Sequence, residues 1–133
     1  MSRERVEAVR RIYDDWARGE FRSAMELYDP HVVLVLNLEF PDAGVYLGPE
    51  EIATYMRQLL ANWADFAIEG EDFVDAGDSV VVQVRQHGAG VSSGAVTGLR
   101  YFQVWTFRGD SVIRIESIYD RREALEAVGL RGT

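Results

Sequence analysis

The sequence has no cysteine, which excludes a disulfide framework, a thiol nucleophile and any cysteine-based zinc or iron–sulfur centre. It fits a reducing compartment. Long apolar runs are absent as well. The longest, Val32 to Leu36, falls far short of the ~20 residues a membrane span requires. The charged opening MSRERVEAVRR leads straight into an amphipathic pattern and does not read as a signal peptide. No membrane partner and a cytoplasmic location are therefore expected. Basic charge is in deficit: 14 Lys and Arg face 22 Asp and Glu, a formal net charge of −8, which nucleic-acid phosphates would repel. With only two histidines and no acid cluster matched to them, a metal site is not expected. No cofactor motif is present either. The glycine-rich stretch from Gly88 joins two strand candidates instead of leading from a strand into a helix, so it reads as a wide hairpin turn, not a phosphate cradle.

At 133 residues a single domain spanning 1–133 is expected, large enough to bury roughly two-thirds of its unfolded surface without staples. Val6, Val9, Ile12, Tyr13 and Trp16 recur at helical spacing and predict a helix over 3–18, stopped by Gly19. A short helix follows over 20–28, ended by Asp29-Pro30, and His31 to Leu38 reads as a strand. Phe40 to Leu47 reads as a loop. Gly48-Pro49-Glu50-Glu51 has proline and acids where a helix start favours them, and predicts a helix to about Trp63. The period then changes to two, giving strand candidates over 66–74, 79–87, 95–107 and 111–119, joined by short turns into an antiparallel meander. Asp120 with Glu123 predicts a capped last helical turn closed by Gly129. Helices and strands segregated in sequence give an α+β fold. The strand over 100–107 is apolar on both faces, as is the position pair Ile118 and Tyr119. Helices on one side cannot cover both, so a homodimer through the outer sheet face (Phe102, Val104, Ile118) is expected.

This order of elements, with Gly19-Glu20-Phe21, Leu47-Gly48-Pro49-Glu50-Glu51-Ile52, Gly77-Asp78-Ser79-Val80-Val81-Val82, and Val104-Trp105-Thr106-Phe107 before the ending Tyr119 to Leu130, resembles the SnoaL-like, ketosteroid-isomerase-like branch of the nuclear-transport-factor-2-like superfamily over about residues 4–130. The resemblance implies a cone-shaped, curved antiparallel sheet packed by three N-terminal helices, enclosing one pocket, and a dimer formed by sheet packing. Such folds carry isomerases, cyclases, epoxide hydrolases, dehydratases and pure binders, so fold does not give function. Steroid isomerisation requires a general-base aspartate and an oxyanion hole of a tyrosine and a protonated aspartate. Those places fall at Leu36, Ile12 and Gln103. Tyr13 is one residue off, about 100° around a helix. The Arg-x-Asp pattern of limonene epoxide hydrolases meets Arg85-Gln86-His87, which lacks the acid.

The same alignment turns Val81, Gln83, Arg85 and His87 into the cone, with Gln103 beside Tyr101 and Trp105 on the next strand. Polar groups converging on an apolar cavity are the usual form of a small-molecule site. A buried guanidinium requires a carboxylate, water or a ligand oxygen. His87 is suited to proton transfer near neutral pH, or else caps the strand and faces solvent. Glu39 sits in the loop over the expected entrance and is the second candidate acid or base. Tyr13, Trp16, Tyr28, Tyr46, Tyr55, Trp63, Trp105 and Tyr119 line a pocket for a flat ligand, or are plain core. The expected function is a cofactor-independent isomerase, cyclase or hydrolase. Its substrate is a small hydrophobic molecule with a carbonyl, enol or epoxide oxygen, held by Arg85 and Gln103. The alternative is a non-catalytic dimeric binding or accessory protein.

Overall fold

The computed structural model describes residues 2–18, 20, 22–37, 44–90 and 96–129. The apolar stripe of the first helix forms α1 (Ser2–Ala17), and α2 (Arg22–Leu27) follows it. Then come β1 (Tyr28–Leu36), β2 (Gly44–Leu47), α3 (Gly48–Asn62), β3 (Trp63–Asp75), β4 (Ser79–Gly90), β5 (Val96–Arg108), β6 (Ser111–Ile118) and α4 (Arg121–Ala127). The start of α3 is fixed locally: Gly48 takes a positive φ of 81°, and the Glu51 carboxylate accepts from Leu47 N–H at 2.9 Å. At α4, Asp120 accepts from Arg122 N–H at 2.9 Å, and Gly129 closes the helix with φ 79° and its N–H on the Glu126 carbonyl at 3.0 Å.

The α+β expectation holds, with two corrections to the sheet. Among the described residues it has six strands, in the order β2-β1-β6-β5-β4-β3. It is mixed, because β1 runs parallel to β6 while all other neighbours are antiparallel. The extra strand, β2, comes from the end of the stretch expected to be loop, and pairs Val45 with Val35 and Leu47 with Val33. Helix α2 ends at Leu27, just ahead of Asp29-Pro30 as the sequence predicts, and Pro30 falls in the strand that follows. It lies inside β1, where the register with β6 shifts between Tyr28 and Val33, a place where a residue without an N–H costs no ladder bond.

The concave face of the curved sheet is packed by the helices. Val9, Ile12, Tyr13 and Trp16 of α1 and Ile52 and Met56 of α3 close on Val80, Val82, Val84, Tyr101, Trp105 and Ile115. A second, smaller cluster lies on the outer face: Val81, Val104, Ile118 and Ala124, with Val74, Phe102 and Val128 packed against it. Helix α4 thus folds back over part of the face that the sequence assigned to a second subunit, so Val104 and Ile118 are buried by their own chain. The open end of the sheet is held to α1 by one side chain. Arg5 donates at 3.1 Å to the Gly77 carbonyl, the Asp78 carboxylate and the Gly109 carbonyl, and its guanidinium lies 5.6 Å from the Phe107 ring centre. One fork spans the β3–β4 and β5–β6 turns.

Candidate functional site

Strand pairing decides which side chains share a face, because residues directly opposite one another point the same way. On β4 and β5 the pairs Val80–Trp105, Val82–Gln103 and Val84–Tyr101 turn inward with the core. The other set, Gln83–Phe102, Arg85–Arg100 and His87–Gly98, turns outward. The grouping of Gln83, Arg85 and His87 on one strand face is right, but that face is the outer one. Arg85 is exposed and stands opposite Glu69 of β3. The His87 ring is 3.4 Å from the Glu69 carboxylate on the same outer surface. The physical reason is plain: three valines on the alternate face are cheaper to bury than a guanidinium. Glu39, the remaining candidate acid, lies outside the described residues.

What the fold brings together inside the cone is an apolar cavity of about 30 Å³, room for about two water molecules. Trp16 of α1 and Tyr55, Met56 and Leu59 of α3 form its helical wall. Leu34 and Leu36 of β1, Ile115 of β6, Ile68 of β3 and Tyr28 complete the apolar sides. Tyr101 and Gln103 of β5 and Gln86 of β4 supply the polar atoms. Of the residues singled out from the sequence, Leu36, Trp16, Tyr28, Tyr55, Tyr101 and Gln103 therefore line one cavity. Tyr119 stands edge-on to Tyr101, ring centres 6.5 Å apart. Gln86 was missed. Its signal was available: it continues the inward series Val80, Val82, Val84 at spacing two.

Behind the cavity wall runs a chain of buried hydrogen bonds. Trp105 Nε1–H donates to the Tyr13 hydroxyl at 3.2 Å, the Tyr13 hydroxyl donates to Gln103 Oε1, and Gln103 Nε2–H donates to Ser117 Oγ at 3.3 Å. Beside it, the Tyr101 hydroxyl donates to Gln86 Oε1 at 2.8 Å. Tyr13 therefore faces the sheet after all. A rotation of about 100° from Ile12 stays within the buried side of α1, and both residues are in the core. Tyr13 is wedged edge-on between Trp16 at 5.1 Å, Phe73 at 5.8 Å and Trp105 at 6.0 Å. Burial pushes the Tyr13 hydroxyl well above the ordinary tyrosine range, with Tyr101 adding to the shift. Burial raises Tyr28 and Tyr101 likewise. These phenols stay protonated, and Tyr13 and Tyr101 act as fixed donors to Gln103 and Gln86.

None of the described cavity-lining residues carries a charge, and no group of three His, Asp or Glu among the described residues is placed to hold a metal ion. Chemically, the described wall can bury an apolar body and offer hydrogen bonds from neutral groups. Outside the cavity, a cleft of about 300 Å³ opens between β2 and α3, lined by Tyr46, Glu50, Glu51, Thr54, Tyr55 and Gln58. Tyr55 borders both spaces, with its ring 4.7 Å from that of Tyr46. No helix among the described residues is long and apolar enough to cross a membrane.

The same architecture recurs among solved structures. A nuclear-transport-factor-2-like protein from Burkholderia thailandensis superposes with a TM-score of 0.80 at 24% identity, over 86% of this chain and 89% of that one. TerC, co-crystallised with polyporic acid, gives 0.74 at 21% identity over 92% of this chain and 96% of that one. A protein with a ketosteroid isomerase-like fold from Catenulispora acidiphila, in complex with trimethylamine, gives 0.74 at 16% identity over 93% of each chain. Comparison with curated proteins returns no match. These likenesses speak to the fold. The family follows from the sequence itself: the family model described as the SnoaL-like domain matches residues 9–115, most of the chain, and the chain belongs to the SnoaL-like domain family.

Proposed function

We propose that this protein binds a small, uncharged, largely apolar molecule in the cavity between α1, α3 and the concave sheet face. The observation that carries the reading is the neutrality of the described wall: apolar side chains surround a few amide and phenol groups, with no carboxylate, imidazole or guanidinium among them. An ion in such a cavity loses several kcal/mol of hydration with nothing to replace it, whereas an apolar body gains about 25 cal/mol per Å² removed from water. Met56 and Tyr55 are the adaptable part of the wall. Methionine repacks readily around differently shaped guests, and a swing of Tyr55 joins the cavity to the outer cleft and gives the ligand its way in. That two proteins of this fold have been crystallised with small molecules, polyporic acid in one and trimethylamine in the other, supports small-molecule binding as a use of the fold. Native mass spectrometry of the protein purified from its own host tests the reading. A co-purified neutral compound, lost on Leu36→Trp or Ile115→Trp substitution, is the expected result. A ligand that survives both substitutions places binding elsewhere.

A catalytic reading, as a cofactor-independent isomerase, cyclase or hydrolase, draws support from one feature. Leu36 ends β1 on the cavity wall, and Glu39 follows three residues later in the sequence. Proton transfer would then fall to Glu39, with Arg85 and His87 playing no part. Glu39→Gln abolishing turnover while leaving ligand retention intact separates enzyme from binder. We further propose a cytoplasmic homodimer through the outer sheet face. Phe102 is half-buried there, and Val45 and Leu47, each 58% exposed, extend the apolar surface beside Val33 and Val35. Light scattering on Val45→Glu/Leu47→Glu, with loss of a dimer as the expected outcome, tests this.

A further inference from the structure

We infer that Tyr55 plugs the cavity: its ring occupies the place a guest takes, and binding displaces that ring into the outer cleft between β2 and α3. The inference rests on the cavity being a ligand site and specifies how that site opens.

The cavity is too small as it stands. At about 30 Å³ it has about a fifth of the ~150 Å³ in which an apolar cavity takes up benzene, so part of its wall must move before an organic guest fits. Most of the described wall has nowhere to go. The strand side chains, Leu34 and Ile115 among them, are buried on a paired ladder. Trp16 is held between Tyr13 and Trp105, with ring centres 5.1 and 5.8 Å away. Met56 is buried on the inner side of α3. Two of the described lining residues are only half-buried, Gln86 and Tyr55. Gln86 stands on β4 with its amide oxygen held by the Tyr101 hydroxyl at 2.8 Å. Tyr55 differs from all of these in having space behind it, because it also borders the cleft of about 300 Å³.

In the closed form the ring points inward. Tyr55 lies one turn after Ile52 and one turn before Leu59 on the buried stripe of α3. Its hydroxyl adds to the rise that burial imposes on the Tyr101 hydroxyl, so the phenol reaches toward Tyr101 at the polar end of the cavity. On its outer side the ring meets Tyr46, 4.7 Å between centres. A helical tyrosine has two favoured χ1 wells, about 120° apart. Turning from one to the other carries the ring out of the cavity toward Thr54 and Gln58, the exposed residues of the cleft. What it vacates has the shape of a phenol ring. The affinity measured is then the intrinsic one reduced by the fraction of open molecules, and with an open state of about 10% or less deleting the ring strengthens binding at least about tenfold.

The full-length protein, with its tyrosines as 3-fluorotyrosine, is titrated with p-cresol, the analogue of the tyrosine side chain. NMR reads the methyl groups of Leu34 and Ile115 and the Tyr55 fluorine, identified by its loss in Tyr55→Phe. On binding, the methyls should shift and the Tyr55 fluorine should move to a solvent-exposed position. Thr54→Trp fills the cleft from a position that does not line the cavity. It should weaken binding by about tenfold or more in the native background, and by less than about twofold in Tyr55→Ala, where no ring needs the space. Tyr55→Ala itself should bind at least about tenfold tighter. A shift of the methyls with the Tyr55 fluorine unmoved overturns the inference and leaves the binding site standing, as does an equal effect of Thr54→Trp in both backgrounds. Binding by Tyr55→Ala and not by the native protein makes the ring a fixed part of the wall and overturns it too. Should Tyr55→Ala fail to fold, the fluorine shift and the Thr54→Trp loss in the native background decide. If p-cresol shifts neither methyl in either protein, the ligand site itself falls and the plug with it.

Discussion

Replacing Gly70 by alanine is expected to destabilise the fold by acting on one aromatic ring. A Cβ at position 70 would stand 2.4 Å from Phe73 Cζ, with the two Cε atoms at 3.1 and 3.2 Å, against an ordinary carbon contact of about 3.5–4.0 Å. The ring must retreat by more than about 1 Å, and its neighbours resist. Tyr13 is edge-on at 5.8 Å, and the Arg10 guanidinium lies 4.4 Å from the ring centre. Overpacking of this kind costs about 1–3 kcal/mol. The loss of glycine's backbone freedom returns about 0.5–1 kcal/mol. The net is a loss of about 1–2 kcal/mol, roughly a 3–8 °C fall in Tm for a chain of this size. Denaturant unfolding of Gly70→Ala, Phe73→Leu and the double variant closes a cycle. In the Phe73→Leu background the glycine substitution should become neutral or mildly stabilising, because the obstructing ring atom is gone. Phe73 packs on Tyr13, so the Trp105 indole proton, bonded to the Tyr13 oxygen, should also shift in the single variant. A Gly70→Ala protein as stable as wild type, or one whose loss is the same in both backgrounds, would refute the reasoning.

Arg5→Ala should cost about 1–2 kcal/mol, since it frees two turns from α1 at once. Arg5→Lys should recover less than half of that in chemical denaturation, because a point charge cannot span Gly77 and Gly109 as the fork does. Alkaline unfolding should be steep. Tyr13, Tyr28 and Tyr101 have hydroxyls raised by burial above the unfolded value near 10, so the unfolded chain releases protons that the folded one retains. Their contribution is complete below pH 10 and is lost as pH rises, at up to about 4 kcal/mol per pH unit for three groups. Denaturant titrations from pH 9 to 11.5 should show that slope in the wild-type protein and about two-thirds of it in Tyr13→Phe. Arg85→Ala and His87→Ala should each change stability by less than about 0.5 kcal/mol and leave probe binding in the cavity unaltered. A tenfold loss of binding in either would mean that the outer face reaches the ligand.

The helices were legible in the sequence because their signals are local. The α1 stripe, the Gly48-Pro49-Glu50-Glu51 start and the Asp120 and Gly129 caps each fit within a few residues, and each stands where the pattern put it. The β3–β6 meander was legible from its period-two alternation and from the short turns at 76–78 and 109–110. The parallel β1–β6 pairing was not. It joins Leu34 to Ile115 and Leu36 to Ser117 across most of the chain, and nothing within either strand encodes its partner. The four-residue β2 was hidden because Val45 and Leu47 are exposed, so its alternation does not look like that of a buried strand.

The error about β4 has the largest consequence for function, and it is an error of parity. Side chains on a strand alternate with a period of two, so assigning one residue to the wrong face moves every other residue with it. The segment Val80-Val81-Val82 is apolar on both sides, which leaves the choice to the residues that follow. There Val84 and Gln86 compete with Gln83, Arg85 and His87. The charged set suggests chemistry, but burying it would leave a guanidinium to be neutralised, whereas burying the valine set requires nothing further. Gln103, Tyr101 and Trp105 were placed correctly on β5, and through the pairs Val82–Gln103 and Val84–Tyr101 that placement alone excludes Arg85 from the cone. The register that carries this constraint depends on how β4 and β5 are joined through residues 91–95, whose composition does not fix it. Once the register is known, the chemistry inside changes kind. The groups that meet the cavity are amides whose orientation is set by tyrosine protons, and what they can do to a guest follows from hydrogen-bond direction instead of charge.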